Sequence, residues 1–125
     1  MDIFLVGFDF IDSKYTMNDK LVRFDSKLES REWQAIFPET LNLSSESLKQ
    51  RQREGGSKEY PLLCRIVSPQ SRILYTPGEV ELLVQECRLV FSLAGSLVAQ
   101  DGIRKLIDAC QMARSSVYGL RLEGH

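Results

Sequence analysis

The sequence predicts an α+β protein in which a mixed or antiparallel sheet of about five strands is packed by helices. Residues 2–11 are largely β-branched and aromatic on both alternating faces, which is typical of a central strand buried on both sides. Two segments in the C-terminal half, beginning at Thr76 and at Asp101, repeat apolar residues at helical spacing. Residues 117–123 alternate apolar and polar side chains, which predicts a final strand with one exposed face. Together these segments indicate helices that cover one sheet.

Turn and capping residues predict the remaining elements. Ser26 and Glu29 have the spacing of a capping box, which predicts a helix over 27–37. Ser44 is expected to cap a second helix, which ends at Gly55 and has a wholly polar second half. The predicted order is ββααββααβ, with strands at 2–11, 21–25, 60–67, 72–75 and 117–123.

The helix that follows Thr76 carries the sharpest local signal in the chain. Thr76 is a suitable N-cap, Pro77 occupies the first helical position and Glu79 completes a capping box. Apolar residues then recur at helical spacing over an unusually wide stripe, so we expect a deeply buried central helix. The residues that widen the stripe are Leu82, Leu89, Val90 and Leu93.

Length and composition indicate one compact domain over residues 1–125, with a polar and exposed segment at 49–58. Apolar residues make up 43% of the chain and charged residues 26%, which is typical of a globular protein. The net charge of −1 does not point to nucleic acid or to an anionic membrane surface as a partner. We expect no membrane span, because no apolar stretch approaches ~20 residues, and the N-terminus shows no secretion signal.

The three cysteines, Cys64, Cys87 and Cys110, are odd in number and far apart in the sequence. Their spacing matches no zinc motif, and no histidine lies near them to complete one. Cys87 and Cys110 fall on the apolar stripes of predicted helices, so we expect reduced, buried thiols. Reduced thiols favour a cytoplasmic location.

The single histidine, His125, is the last residue, and we expect it to be mobile. Serine and cysteine triads and histidine-ligated zinc sites need a histidine beside the reacting group, so these classes of enzyme are not expected. Neither the P-loop motif nor the dinucleotide-binding motif occurs, and no cofactor is predicted. Carboxylates are the remaining catalytic material.

Asp9 lies in the most apolar predicted strand, and Asp12 follows at its end. A buried carboxylate needs a partner, and the favoured interpretation is a structural Asp9 that either pairs with Arg23 or faces solvent at the end of the strand. The alternative is a divalent-metal-dependent enzyme in which Asp9 and Asp12, with Asp19 or Asp25, supply oxygen ligands. No specific metal motif is present, so no metal site is predicted.

A second alternative is a nucleic-acid accessory protein. Its binding residues would be Lys49, Arg51, Arg53 and Lys58, with Tyr60 stacking on a base. Nearby glutamates dilute this patch and no aromatics interleave with it, so a solvated polar face is the preferred interpretation.

The leading hypothesis is a non-catalytic protein-binding domain, in concrete form an inhibitor of the immunity-protein or antitoxin type. The chain is small, lacks catalytic motifs and segregates its charges, which suits electrostatically guided docking. The expected partner is a basic toxin domain such as a nuclease, and self-association stays open. The predicted partner-binding residues are Asp9, Asp12, Asp19, Glu79, Glu81 and Glu86.

Overall fold

The computed structural model describes all 125 residues and contains one antiparallel sheet of four strands. The α+β class is therefore confirmed, with four strands instead of about five. The strands lie in the order β2-β1-β4-β3, so β2 and β3 are the edges. Their bounds are β1 Asp2–Ile11, β2 Lys14–Arg23, β3 Arg72–Tyr75 and β4 Tyr118–Glu123.

Four helices accompany the sheet. The first is short and continues as a π-helical segment over Ala35–Thr40, and a single 3₁₀ turn occurs at Leu63–Arg65. None of the helices is both long enough and apolar enough to cross a bilayer. The helix bounds are α1 Ser30–Gln34, α2 Ser45–Arg53, α3 Pro77–Leu93 and α4 Leu97–Arg114.

One face of the sheet and the helices enclose a core of 28 buried residues. The sheet contributes alternate residues of β1 and β4, with Leu5 directly opposite Leu120 in the register. The longest helices, α3 and α4, contribute Leu83 and Leu106, both fully buried. Burying large apolar side chains of this kind is the main favourable contribution to folding.

The strand predicted at 60–67 does not form. The segment runs through turns and one 3₁₀ turn, and side chains from other elements satisfy its carbonyls. Tyr75 Oη donates to the Leu62 carbonyl at 2.6 Å, and Trp33 Nε1 donates to the Ile66 carbonyl at 2.9 Å. Because these carbonyls have partners, the segment can be buried without a strand neighbour.

The loss of that strand changes the place of β4. Without a hairpin partner, β3 pairs with β4, and Tyr75 lies opposite Leu120. The predicted final strand is therefore an inner strand between β1 and β3. The prediction of a central β1 is confirmed, but burial on both sides is wrong for its last residues, Asp9–Ile11, which are exposed.

Several predicted boundaries also change. The α1 capping box uses Glu32, whose carboxylate accepts from the Glu29 N–H at 2.8 Å, three residues later than predicted. Helix α4 begins at Leu97 under a Ser96 cap, so Asp101 lies inside the helix and is not its cap. The Ser44 and Thr76 caps are confirmed, since each hydroxyl accepts a backbone N–H.

Candidate functional site

The six acidic residues predicted to bind a partner divide into two groups. Glu79, Glu81 and Glu86 lie on α3, and contacts within the protein engage all three carboxylates. Asp9, Asp12 and Asp19 lie on the β1–β2 hairpin, are exposed and make no salt bridge. The structure therefore brings three of the six together on one exposed element.

Glu79 acts in the fold in two ways. Its carboxylate accepts from the Thr76 N–H at 2.9 Å and from the Arg65 guanidinium at 2.6 Å. Burial raises the pKa of Glu79, but the hydrogen bonds from Thr76 and the charge of Arg65 outweigh it and hold the pKa below its ordinary value. The side chain thus caps α3 and ties it to the 3₁₀ turn.

Glu86 is half-buried and accepts from two backbone N–H groups, that of Leu62 at 3.1 Å and that of Leu63 at 2.9 Å. Burial raises the pKa of Glu86 above its ordinary value, against the two hydrogen bonds. Glu81 lies at the surface and forms a salt bridge with Arg114 of α4 at 2.8 Å. Neither carboxylate is left free for a partner.

The hairpin projects beyond the rest of the sheet. Strand β1 pairs with β4 only as far as Gly7, which lies opposite Tyr118. The next ten residues, Phe8–Met17, pair only between β1 and β2, and all of them except Phe8 are exposed. We call Phe8–Met17 the arm.

A bulge at the base of the arm depends on a glycine. The register between β1 and β2 shifts at Gly7, because this one residue faces three residues of β2, Asn18, Asp19 and Lys20. A Cβ on Gly7 would collide with the Asn18 amide oxygen and lie 2.7 Å from Lys20 Cβ. Asn18 instead donates to the Asp9 carboxylate at 3.1 Å and accepts from the Lys20 N–H at 2.9 Å. This arrangement fixes the direction in which the arm leaves the sheet.

The tip of the arm is a two-residue turn. Asp12 and Ser13 both have positive φ, at 53° and 63°. Positive φ at both positions is the geometry of a type I′ turn, which matches the twist of the flanking strands. Asp12 therefore stands at the outermost point of the arm with its carboxylate in solvent.

One face of the arm is apolar. Phe8 lies opposite Met17, and Phe10 lies opposite Tyr15, so the register places these four side chains on the same face. The Phe10 and Tyr15 rings are 4.9 Å apart, and the Tyr15 ring also lies against Gly78 of α3. Phe10 is 60% exposed, Tyr15 42% and Met17 52%. The apolar residues of the run 2–11 predict a buried strand. Its last residues, Asp9–Ile11, are instead exposed and belong to the arm.

The wide apolar stripe of α3 is predicted to be buried, but one side of it is exposed to solvent. Leu82, Leu89 and Leu93 lie on the solvent side of the helix, and Val90 alone of the widening residues is buried. The narrower stripe of Val80, Leu83, Val84 and Cys87 contacts the core. Spacing alone indicates that a helix is apolar but not how much of its circumference the neighbours cover.

The structure gives no support to metal or thiol chemistry at the predicted residues. Asp9 is exposed and bonded to Asn18, and the pairing of Asp9 with Arg23 is wrong because Arg23 binds Asp2 at 3.2 Å. No group of three or more candidate ligands lies close enough to hold a metal ion. The three cysteines are free and buried as predicted, and burial raises the pKa of Cys110 to about 12.

The His125 side chain, which is expected to be mobile, is 73% exposed and makes one contact, in which its Nε2 lies 2.8 Å from the Asp2 carboxylate. The predicted basic patch is divided between two sites. Lys49 and Arg53 line a groove beside β3, whereas Arg51 and Lys58 line a separate cleft that also contains Glu54 and Glu59.

The chain matches no protein-family model, and neither curated proteins nor solved structures show significant similarity to it.

Proposed function

We propose that this chain is a non-catalytic protein-binding domain that docks the arm into a basic site on a partner protein. The observation that carries the proposal is the arm itself, a projecting hairpin with an exposed aromatic face and free carboxylates. Contiguous exposed apolar patches with polar groups around them often mark protein–protein interaction sites.

The residue types on the arm suit the centre of an interface. Aromatic residues and methionine are enriched in interface cores, and Phe10, Tyr15 and Met17 supply all three types side by side. Tyr15 and Phe10 hold each other through ring contact, so little side-chain freedom is lost when they dock.

The charges around the apolar face indicate the chemistry of the partner. Asp9, Asp12 and Asp19 make no salt bridge, and they lie on or beside the arm. They outnumber the two cations of this region, Lys14 and Lys20. A complementary site would have an apolar pocket for the rings and lysine or arginine around it. The active site of a nuclease toxin has this basic character, so an inhibitor of the immunity-protein or antitoxin type is the concrete form of the proposal.

The proposal is tested with the products of the genes adjacent to this one. Each product is co-expressed with the chain, and binding is measured by calorimetry together with inhibition of the product's activity. Phe10→Ala should weaken binding by more than about tenfold, because truncating an interface anchor costs about 2 kcal/mol or more. Leu89→Ala is the matched control, since Leu89 is also 60% exposed but lies on α3. It should leave binding unchanged.

A second variant tests the charge. Asp12→Asn retains the turn, because asparagine tolerates positive φ, and it removes one carboxylate from the tip. It should lower the association rate and reduce its dependence on salt. The proposal fails if no neighbouring product binds at micromolar concentration, or if Phe10→Ala and Leu89→Ala weaken binding equally.

A further inference from the structure

A groove of about 500 Å³ lies between α2 and the edge strand β3. Its volume is in the range of small-molecule sites, roughly 300–1,000 Å³. Four of the residues that line it carry a positive charge and none carries a negative charge. The cationic residues are Lys49, Arg53, Arg65 and Arg72.

The local structure explains why these cations meet. Lys49, Gln52 and Arg53 are three and four residues apart on α2, so their side chains share one face of the helix. Gln52 Nε2 donates to the Cys64 carbonyl at 3.3 Å, which holds that face toward the 3₁₀ turn. Leu48, one turn before Gln52, is fully buried and anchors the helix to the core.

Most of this positive charge is not neutralised within the protein. Lys49, Arg53 and Arg72 form no salt bridge, although salt bridges engage many of the other cations in the chain. Arg65 is the exception, since it pairs with Glu79 and stands 5.5 Å from the centre of the Tyr75 ring. Arg65 is therefore held in place at one wall of the groove.

We propose that this groove binds a small ligand that carries two or more phosphate groups. Guanidinium groups donate paired hydrogen bonds that match phosphate oxygens, and three arginines with one lysine converge here. The Ser71 side chain also lines the groove and adds a hydroxyl donor. This site is independent of the arm and of the protein partner proposed for it.

Two observations favour a compact ligand over a nucleic-acid strand. The groove contains no aromatic side chain on which a base could stack, and its only apolar residues are Val67 and Ile73. The excess of positive charge also ends at the groove, because Glu54 and Glu59 balance Arg51 and Lys58 in the cleft farther along α2. A nucleic-acid strand needs a longer basic track than this.

The test uses pyrophosphate and tripolyphosphate as probes, with calorimetry and backbone amide shifts at low salt. Both probes should bind saturably, tripolyphosphate more tightly, with shifts confined to α2, β3 and residues 65–71. Arg53→Gln and Arg72→Gln should each weaken binding by roughly tenfold, the usual effect of losing a charge-assisted hydrogen bond. Arg51→Gln is the control, because it removes the same charge from the same helix outside the groove.

Three results would overturn the proposal. One is the absence of saturable binding for either probe, and another is an equal loss of affinity in the Arg51→Gln control. The third is a single-stranded oligonucleotide that binds more tightly than tripolyphosphate, with an affinity that grows with its length. Thermal unfolding of each variant shows whether a loss of binding reflects a loss of fold.

Discussion

At the scale of single residues, Glu86 shows how a carboxylate can substitute for a strand partner. The N–H groups of Leu62 and Leu63 have no backbone acceptor in this irregular segment, and Glu86 accepts from both of them. An unpaired buried N–H costs free energy comparable to a lost hydrogen bond. The Glu86 side chain therefore supplies the hydrogen-bond acceptors that a neighbouring strand would supply in a sheet.

We expect Glu86→Ala to lower the free energy of unfolding by about 1–3 kcal/mol, because it leaves buried donors without an acceptor. Glu86→Gln is the matched control, since its amide oxygen can still accept from Leu63 at nearly the same position. Urea unfolding followed by circular dichroism measures both variants. Equal destabilisation by alanine and glutamine would contradict this role.

The same residue has a pH signature. Burial holds the pKa of Glu86 above its ordinary value of 4.5, so the folded state favours the protonated form. Its contribution to stability is fully present below the unfolded pKa and is lost as pH rises through the folded pKa. Glu86→Gln undergoes no such loss. The free energy of unfolding of Glu86→Gln relative to the wild type should therefore increase between about pH 4 and pH 7. A difference that stays constant over this range would contradict a buried Glu86.

At the scale of elements, the sequence predicts best the features that local chemistry determines, although the first capping box forms three residues later than predicted. The Thr76 and Ser44 caps are correct because a cap joins residues three positions apart. The strand at 60–67 is wrong because its partners, Tyr75 and Trp33, are chosen by tertiary packing. Local propensity gives no information on such contacts.

The candidate site follows the same division. The hairpin carboxylates Asp9 and Asp12 could be named from the sequence, but not their exposure, because that depends on where β4 stops. Over its full length, the apolar run that contains Phe10 has the pattern of a buried strand. Only part of the groove can be predicted from the sequence. Lys49 and Arg53 are close in sequence, whereas the fold brings Arg72 beside them.

The bulge at the base of the arm requires a residue without a side chain at Gly7. Gly7→Ala places a methyl group against Asn18 and Lys20, so the bulge must open or the strands must separate. We expect a loss of about 1–3 kcal/mol in the free energy of unfolding, typical of an overpacked site. Gly95→Ala is the control, because no atom lies within 4 Å of its added Cβ.

The control should be neutral or stabilising by up to about 1 kcal/mol, through the reduced entropy of the unfolded chain. Amide exchange adds a second measurement, since Gly7→Ala should raise exchange rates in residues 8–20 more than in α3. Equal effects of the two substitutions on stability would show that the bulge tolerates a side chain.

At the scale of the whole molecule, the two proposed surfaces lie on different parts of the sheet. The arm continues β1 and β2, whereas the groove lies beside β3 at the opposite edge. The carboxylates of the arm form no salt bridge, and neither do the groove residues Arg53 and Arg72. These opposite charges on separate surfaces agree with a net charge of only −1.

Asp2 joins parts of the chain that are far apart in sequence. Its carboxylate is only 6% exposed and lies within 3.5 Å of groups from Arg23, Lys27 and His125. The hydrogen bond from His125 lowers the pKa of Asp2 below its ordinary value of 3.8, and the charges of Arg23 and Lys27 act in the same direction. A lowered carboxyl pKa contributes stability above the unfolded pKa, and that contribution is lost as pH falls through the folded pKa.

Asp2→Asn should therefore destabilise the protein at about pH 6, and its effect should shrink as the pH falls toward about 2.5 and the wild-type carboxyl takes up a proton. Urea unfolding at both pH values measures the difference. His125→Ala is the companion variant, and it should move the carboxyl titration of Asp2 in a carbon-detected NMR experiment back toward 3.8. An unchanged titration would show that Arg23 and Lys27 hold the carboxylate without the histidine. An Asp2→Asn effect of equal size at both pH values would show that the asparagine disturbs packing and that the ion cluster contributes no stability.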